Sequence, residues 1–199
     1  MKKGIYVSGI VLAALIFSFT TVNDKKVIVI DAAHGGKDNG ATCGDVTEKK
    51  IVQAISNKIK LLNKEGKLEI VLVRERDEFI TQEERVKKIN ELHPDLMISL
   101  HVNNSNDVLQ NGMEATVSKD NNYYKVSLAK ATGLTARITK DKPWTGNVKA
   151  GNLYVLKNSK CPAMVLELGY LSNENDKKYL VSEAGQNEIA TNIVDYLKN

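Results

Sequence analysis

The stretch Val27-Ile28-Val29-Ile30-Asp31-Ala32-Ala33-His34-Gly35-Gly36 decides the fold. Four consecutive β-branched residues need apolar neighbours on both faces, and the aspartate and paired glycines that follow end the run in a turn. A strand of this kind belongs inside a sheet covered on both sides. Working outward, Ile51, Val52, Ile55, Ile59 and Leu62 recur at three- and four-residue spacing ahead of Gly66, which predicts an amphipathic helix. Residues 68–73 read as a second strand, 83–92 as a helix stopped by Pro94, and 96–102 as a third strand. Further along, 112–118, 153–156 and 164–168 read as strands and 123–139 as a helix. A closing helix buries Ile189, Ile193, Val194 and Leu197. Strands alternating with helices predict an α/β domain: a mostly parallel, roughly six-stranded twisted sheet flanked by helices on both faces. Ligands of such sheets sit beyond the C-terminal ends of the strands.

The composition agrees with a single globular domain over 23–199. Hydrophobic residues make up 42% of the 199, charged residues 26%, and there are only three prolines. Residues 1–22 stand apart. Met1-Lys2-Lys3 gives a positive start and Gly4 to Phe19 is nearly free of polar side chains, the length of a signal-peptide core and short of the roughly 20 apolar residues of a bilayer span. Cleaved leader and uncleaved anchor are both open readings, and either delivers the domain to the periplasm or cell envelope, with membrane contact through this segment alone. Setting aside Lys2 and Lys3 leaves 26 basic against 24 acidic side chains, and no basic stripe carries interleaved aromatics, so nucleic acid is not an expected partner. Cys43 follows the C-terminal end of one strand and Cys161 precedes the N-terminal end of another. In a parallel sheet those ends lie roughly 15–20 Å apart, beyond the ~7 Å Cα limit of a disulfide, so two free thiols are expected.

At the strand ends the chemistry-bearing residues gather. The first strand runs into Asp31 and His34, the third into His101, and the last carries Glu167. Two of the three histidines at one sheet edge point to metal ligation, because a catalytic zinc commonly takes three protein ligands. His93, before Pro94 in a polar loop, reads as solvated. Glu48 is the candidate third ligand. It fits a capping-box glutamate after Asp45, yet its spacing to Ile51, Val52 and Ile55 also sets it on the buried stripe, where a carboxylate needs a partner or a metal. Glu167 lies in the apolar run Met164-Val165-Leu166-Glu167-Leu168. It is either a general base whose pKa is raised by burial, or half of a buried ion pair with Arg74, Arg76 or Arg85.

Taken in order, Asp31…His34-Gly35-Gly36-x-Asp38-x-Gly40-Ala41, Glu48, Ser99-Leu100-His101-x-Asn103 and Glu167-Leu168-Gly169-Tyr170-Leu171-Ser172-Asn173 resemble the zinc-dependent N-acetylmuramoyl-L-alanine amidases of the amidase-3 type. The likeness runs from about residue 25 to the C-terminus and includes Leu153-Tyr154-Val155-Leu156-Lys157. The resemblance implies that His34, Glu48 and His101 bind Zn²⁺, that Glu167 is the catalytic carboxylate, and that the substrate is the amide joining N-acetylmuramic acid to L-alanine in peptidoglycan. Two departures are visible. Ala33 stands where the family usually has glycine, and Trp144-Thr145-Gly146-Asn147 lacks the arginine that often precedes the Val148-Lys149 pair. The segment 103–142 is too short for the long inhibitory helix of some members, so activity without an activator is expected. Another zinc hydrolase on a similar sheet (a carboxypeptidase or deacetylase) and a non-catalytic wall-binding relative are the alternatives.

Overall fold

Strand β1 (Lys26–Ala32) is buried from Ile28 onward and sits between two parallel neighbours, β4 (Leu68–Leu72) and β5 (Leu96–Asn103). In this computed structural model, which describes residues 25–199 except 65 and 145, the chain continues from β1 through a short hairpin, β2 (Thr42–Cys43) and β3 (Val46–Thr47), into α1 (Glu48–Leu62). Helix α2 (Gln82–Glu91) joins β4 to β5. There follow β6 (Met113–Val117), α3 (Tyr124–Ile138), β7 (Gly146–Ala150), α4 (Tyr154–Asn158), β8 (Ala163–Tyr170), α5 (Glu174–Val181) and α6 (Glu183–Lys198). The proposed leader, residues 1–22, lies outside the described residues, and no described helix is long and apolar enough to cross a membrane.

The six-stranded sheet has the order β4-β1-β5-β8-β6-β7. Every pairing is parallel except β6 with β8, so the expected mostly parallel α/β architecture holds. Strand alternation divides the side chains between two cores. Ile28, Ile30, Leu96, Ile98, Leu100, Met164 and Leu166 pack with residues of α1, α3 and α6 in the larger cluster. Val29, Met97 and Val165 face the other way, onto Ile89 of α2 and Leu156 of α4. Asp31, Ser99, His101 and Glu167 share the parity of this second face, which two short helices cover incompletely.

Two segments depart from expectation. Residues 153–156 are not a strand; the apolar run is the start of α4, where Leu156 is fully buried and the Asn158 and Ser159 side chains donate back to the carbonyls of Tyr154 and Val155. A four-residue apolar run carries too little periodicity to separate strand from buried helix. The strand of this region is β7, which lies at the sheet edge, is half exposed and places only Val148 against the core, so it lacks an apolar signature. Cys43 and Cys161 are both free, as expected, and burial pushes the Cys161 thiol up to about 12.

Beneath the β1 turn lie two buried guanidinium groups. Arg85 donates to Asp31 Oδ1 at 2.5 Å and to the carbonyls of Ala32 and His34, while Arg74 donates to the carbonyls of Ala32 and Ala33 at 2.9 Å each. Asp31 Oδ2 accepts from Ser99 Oγ at 2.8 Å. Removing one partner of a buried pair strands the other, so Arg85→Leu is expected to cost about 3–5 kcal/mol in urea unfolding. Lys58→Ala, which breaks a pair with the exposed Glu183, should cost about 0.5 kcal/mol or less.

Candidate metal centre

His34 arrives at the sheet edge in a left-handed backbone conformation (φ 58°) that few non-glycine residues adopt. Arg85 on its carbonyl and a tight turn closed by Gly35 and Asp38 hold it there. The unusual angle therefore falls on His34 itself. Ala33 is buried without positive φ, so glycine is not required at that position. His101 extends from β5 on the same face, and the two imidazole rings meet edge to face, centroids 5.4 Å apart.

Glu48 lies between them. Thr47 caps α1 without a side-chain bond, and the Glu48 carboxylate turns inward, 3% exposed, instead of closing a capping box. Its Oε2 lies 3.1 Å from His34 Nε2 and accepts from the Ala41 amide at 2.8 Å. Its Oε1 lies 3.1 Å from His101 Nδ1 and accepts from the Val102 amide at 3.0 Å. Gly40 permits this approach: a Cβ there would stand 2.4 Å from Glu48 Oε2 and 2.6 Å from His34 Cδ2. Asp38 completes the arrangement, its Oδ2 2.8 Å from His34 Nδ1 and its Oδ1 accepting from the Gly40 amide. A carboxylate behind a histidine is the usual outer support of a metal ligand, fixing ring orientation and basicity.

The donor set fits a divalent metal. Two imidazole nitrogens and a carboxylate oxygen lie within 4.8 Å of one another, the spacing available to three ligands each roughly 2.0–2.2 Å from one ion. The electrostatics agree. Burial works against ionisation of Glu48, but hydrogen bonds to His101 and His34 outweigh it and hold the carboxyl far below its ordinary range. Burial likewise works against protonating His34, yet Glu48 and then Asp38 raise its pKa from 6.5 to about 9.

Glu167 stands beside this trio, its Cα paired in register with that of His101. Its Oε2 is buried and without a hydrogen-bond partner among the described residues, and burial raises its pKa above the usual carboxylate value. None of the arginines considered as partners reaches it: Arg85 pairs with Asp31, Arg74 binds carbonyls and Gln53, and Arg76 pairs with Glu78. A cavity of about 270 Å³ opens next to the histidines, walled by Phe79, Gln82 and Val155 with Arg85 below. His93 is exposed in its loop, away from this cluster. Spacing alone pointed to His34, Glu48, His101 and Glu167 but assigned no role to Asp38, whose turn geometry is invisible without the Gly35–Asp38 bridge.

Residues 28–199 match the family model described as N-acetylmuramoyl-L-alanine amidase, of the amidase-3 type. Among curated relatives, YqiI of Bacillus subtilis, an uncharacterized protein, is 34% identical over 176 residues, covering 86% of this chain and 83% of its own. The N-acetylmuramoyl-L-alanine amidase LytC of the same species is 30% identical over 175 residues, and the match spans 85% of this chain but only 34% of LytC. The solved catalytic domain of CwlV, an N-acetylmuramoyl-L-alanine amidase from Bacillus (Paenibacillus) polymyxa var. colistinus, superposes with a TM-score of 0.78 at 34% identity, covering 86% of this chain and 95% of that domain.

Two outcomes test the centre. Asp38→Ala should weaken divalent-metal binding by roughly 10–100-fold in chelator competition. In the metal-free protein, the depressed pKa of Glu48 contributes stability that is present above its ordinary 4.5 and lost as pH falls below it. The raised pKa of His34 contributes stability that is full below 6.5 and lost as pH rises through about 9. Melting with chelator present should therefore peak between pH 4.5 and 6.5, and Glu48→Gln should flatten that peak; a peak that survives the substitution contradicts the assignment.

Proposed function

The chain belongs to the amidase-3 family of N-acetylmuramoyl-L-alanine amidases, and from that premise we propose that it hydrolyses the amide between N-acetylmuramic acid and L-alanine in bacterial peptidoglycan. The observation that carries the reading is the meeting of His34, Glu48 and His101, with Glu167 in register beside His101 and its Oε2 without a hydrogen-bond partner among the described residues. We assign His34, Glu48 and His101 as ligands of Zn²⁺, on the strength of the nitrogen–oxygen–nitrogen donor set and its depth at the sheet edge. Zn²⁺ held there would supply a Lewis acid that polarises the substrate carbonyl and lowers the pKa of water to about 7.

The chain's own residues supply the rest. Glu167 takes a proton from the attacking water as the new C–O bond forms, and returns it to the alanine nitrogen as the C–N bond breaks. The products are a lactyl carboxylate on the sugar and a peptide with a free α-amine. The pKa of Glu167, raised by burial, makes the carboxylate a stronger base for taking the water's proton while its acid form can still protonate the more basic departing nitrogen. Asp38 keeps the His34 ring oriented, and the Ala41 and Val102 amides hold the Glu48 carboxylate in place between the two histidines. The cavity walled by Phe79, Gln82 and Val155 gives substrate room against the two histidines. We further read residues 1–22 as an export segment and 23–199 as the catalytic domain, acting in the cell envelope, in keeping with a substrate outside the cytoplasm.

Mass spectrometry of digested sacculi should find intact glycan strands separated from intact stem peptides, and a chelator should abolish their release. Glu167→Gln is expected to reduce turnover by at least 10²–10⁴-fold, the usual scale of a general acid–base residue, while zinc remains bound. Near-normal turnover in that variant would remove Glu167 from the mechanism.

A further inference from the structure

The sheet face that carries Glu167 continues beyond it across two more strands. Glu114 of β6 is paired in register with Glu167, and Lys149 of β7 forms an ion pair with Glu114. Thr116 is the register partner of both Val165 and Lys149, so by strand alternation the side chains of 114, 149, 165 and 167 share one face. Lys149 is 56% exposed at its side chain and Glu114 only 20%. The ammonium group thus stands at the open side of the array, one carboxylate away from Glu167. An ammonium has three donors and Glu114 engages one of them.

An exposed pair at a sheet edge contributes little stability, so folding alone gives Lys149 modest work. The substrate supplies a better match. In an extended peptide the α-carboxylate of the residue after alanine lies about 6–7 Å from the alanine nitrogen. Glu114 is one strand, about 4.8 Å, beyond Glu167, and Lys149 reaches its carboxylate. A carboxylate at that place on the leaving peptide therefore falls at the ammonium when the alanine nitrogen is at Glu167. Without a cation there, the same carboxylate would face Glu114 and Glu167, two groups of its own charge sign.

We propose that Lys149, positioned by Glu114, binds a stem-peptide carboxylate carried by the residue that follows alanine, and so sets a preference for peptides in which that group is free rather than amidated. The proposal rests on the amidase reading. It also orients the substrate, with the peptide over β6 and β7 and the glycan side toward the Phe79–Val155 cavity.

The test compares N-acetylmuramoyl-L-alanyl-D-glutamate with the same compound amidated at that α-carboxyl, using the zinc-loaded chain. Wild type is expected to show a KM roughly tenfold lower for the free acid, the worth of one partly exposed charge-assisted hydrogen bond. Lys149→Met should erase the preference through KM rather than kcat, and Lys149→Arg should keep it. Equal KM values in wild type, or a preference that survives Lys149→Met, overturns the proposal while leaving the amidase reading in place. Wild type that cleaves neither compound, nor releases stem peptides from sacculi, overturns both.

Discussion

Glu48 is a carboxylate taken out of water, and the surrounding structure is arranged to make that tolerable. An isolated charge at 3% exposure would neutralise itself or unfold its helix turn. Here two backbone amides and two imidazoles surround it, drawn from three parts of the chain. The Ala41 amide requires the β2–β3 hairpin, the Val102 amide requires β5, and His34 requires the braced turn after β1. One buried charge thus ties three segments together, and a divalent ion held by His34, Glu48 and His101 would complete the compensation that hydrogen bonds begin.

The site exists because the two faces of the sheet are unequal. Helices α1, α3 and α6 cover one face and bury the larger apolar cluster, while α2 and α4 leave the far side of the other open. The parity of β1, β5 and β8 sends Asp31, Ser99, His101 and Glu167 to the less covered face. Near β4 and β1 that face is closed by the Arg85–Asp31–Ser99 network. Toward β6 and β7 it is more open, and the Lys149 side chain there is 56% exposed to solvent.

Much of this architecture is legible in the sequence. The run Val27–Ile30 announced a strand buried on both faces, and the stripe Ile51–Val52–Ile55 carried Glu48 inward, because burial leaves a periodic signature. His34, His101 and Glu167 declared themselves through position at strand ends. What stayed hidden depends on tertiary register. Edge strand β7 has one core residue, α4 is too short to show a period, and Asp38 finds its histidine only through a reversed turn. The pairing of Glu114 with Glu167 is an antiparallel contact between strands 53 positions apart in a sheet otherwise read as parallel, and spacing along the chain carries no trace of it.

The two thiols have unequal fates. Cys161 is enclosed by apolar neighbours that keep it protonated, so it is inert toward alkylating reagents and disulfide exchange while the domain stays folded. Cys43 is partly exposed, with the Lys177 ammonium 3.8 Å from its sulfur, on the hairpin whose neighbouring Ala41 amide holds Glu48. The chain therefore carries one addressable labelling position close to the candidate metal centre, and a fluorophore or spin probe attached there would report on changes at that site without any engineered cysteine.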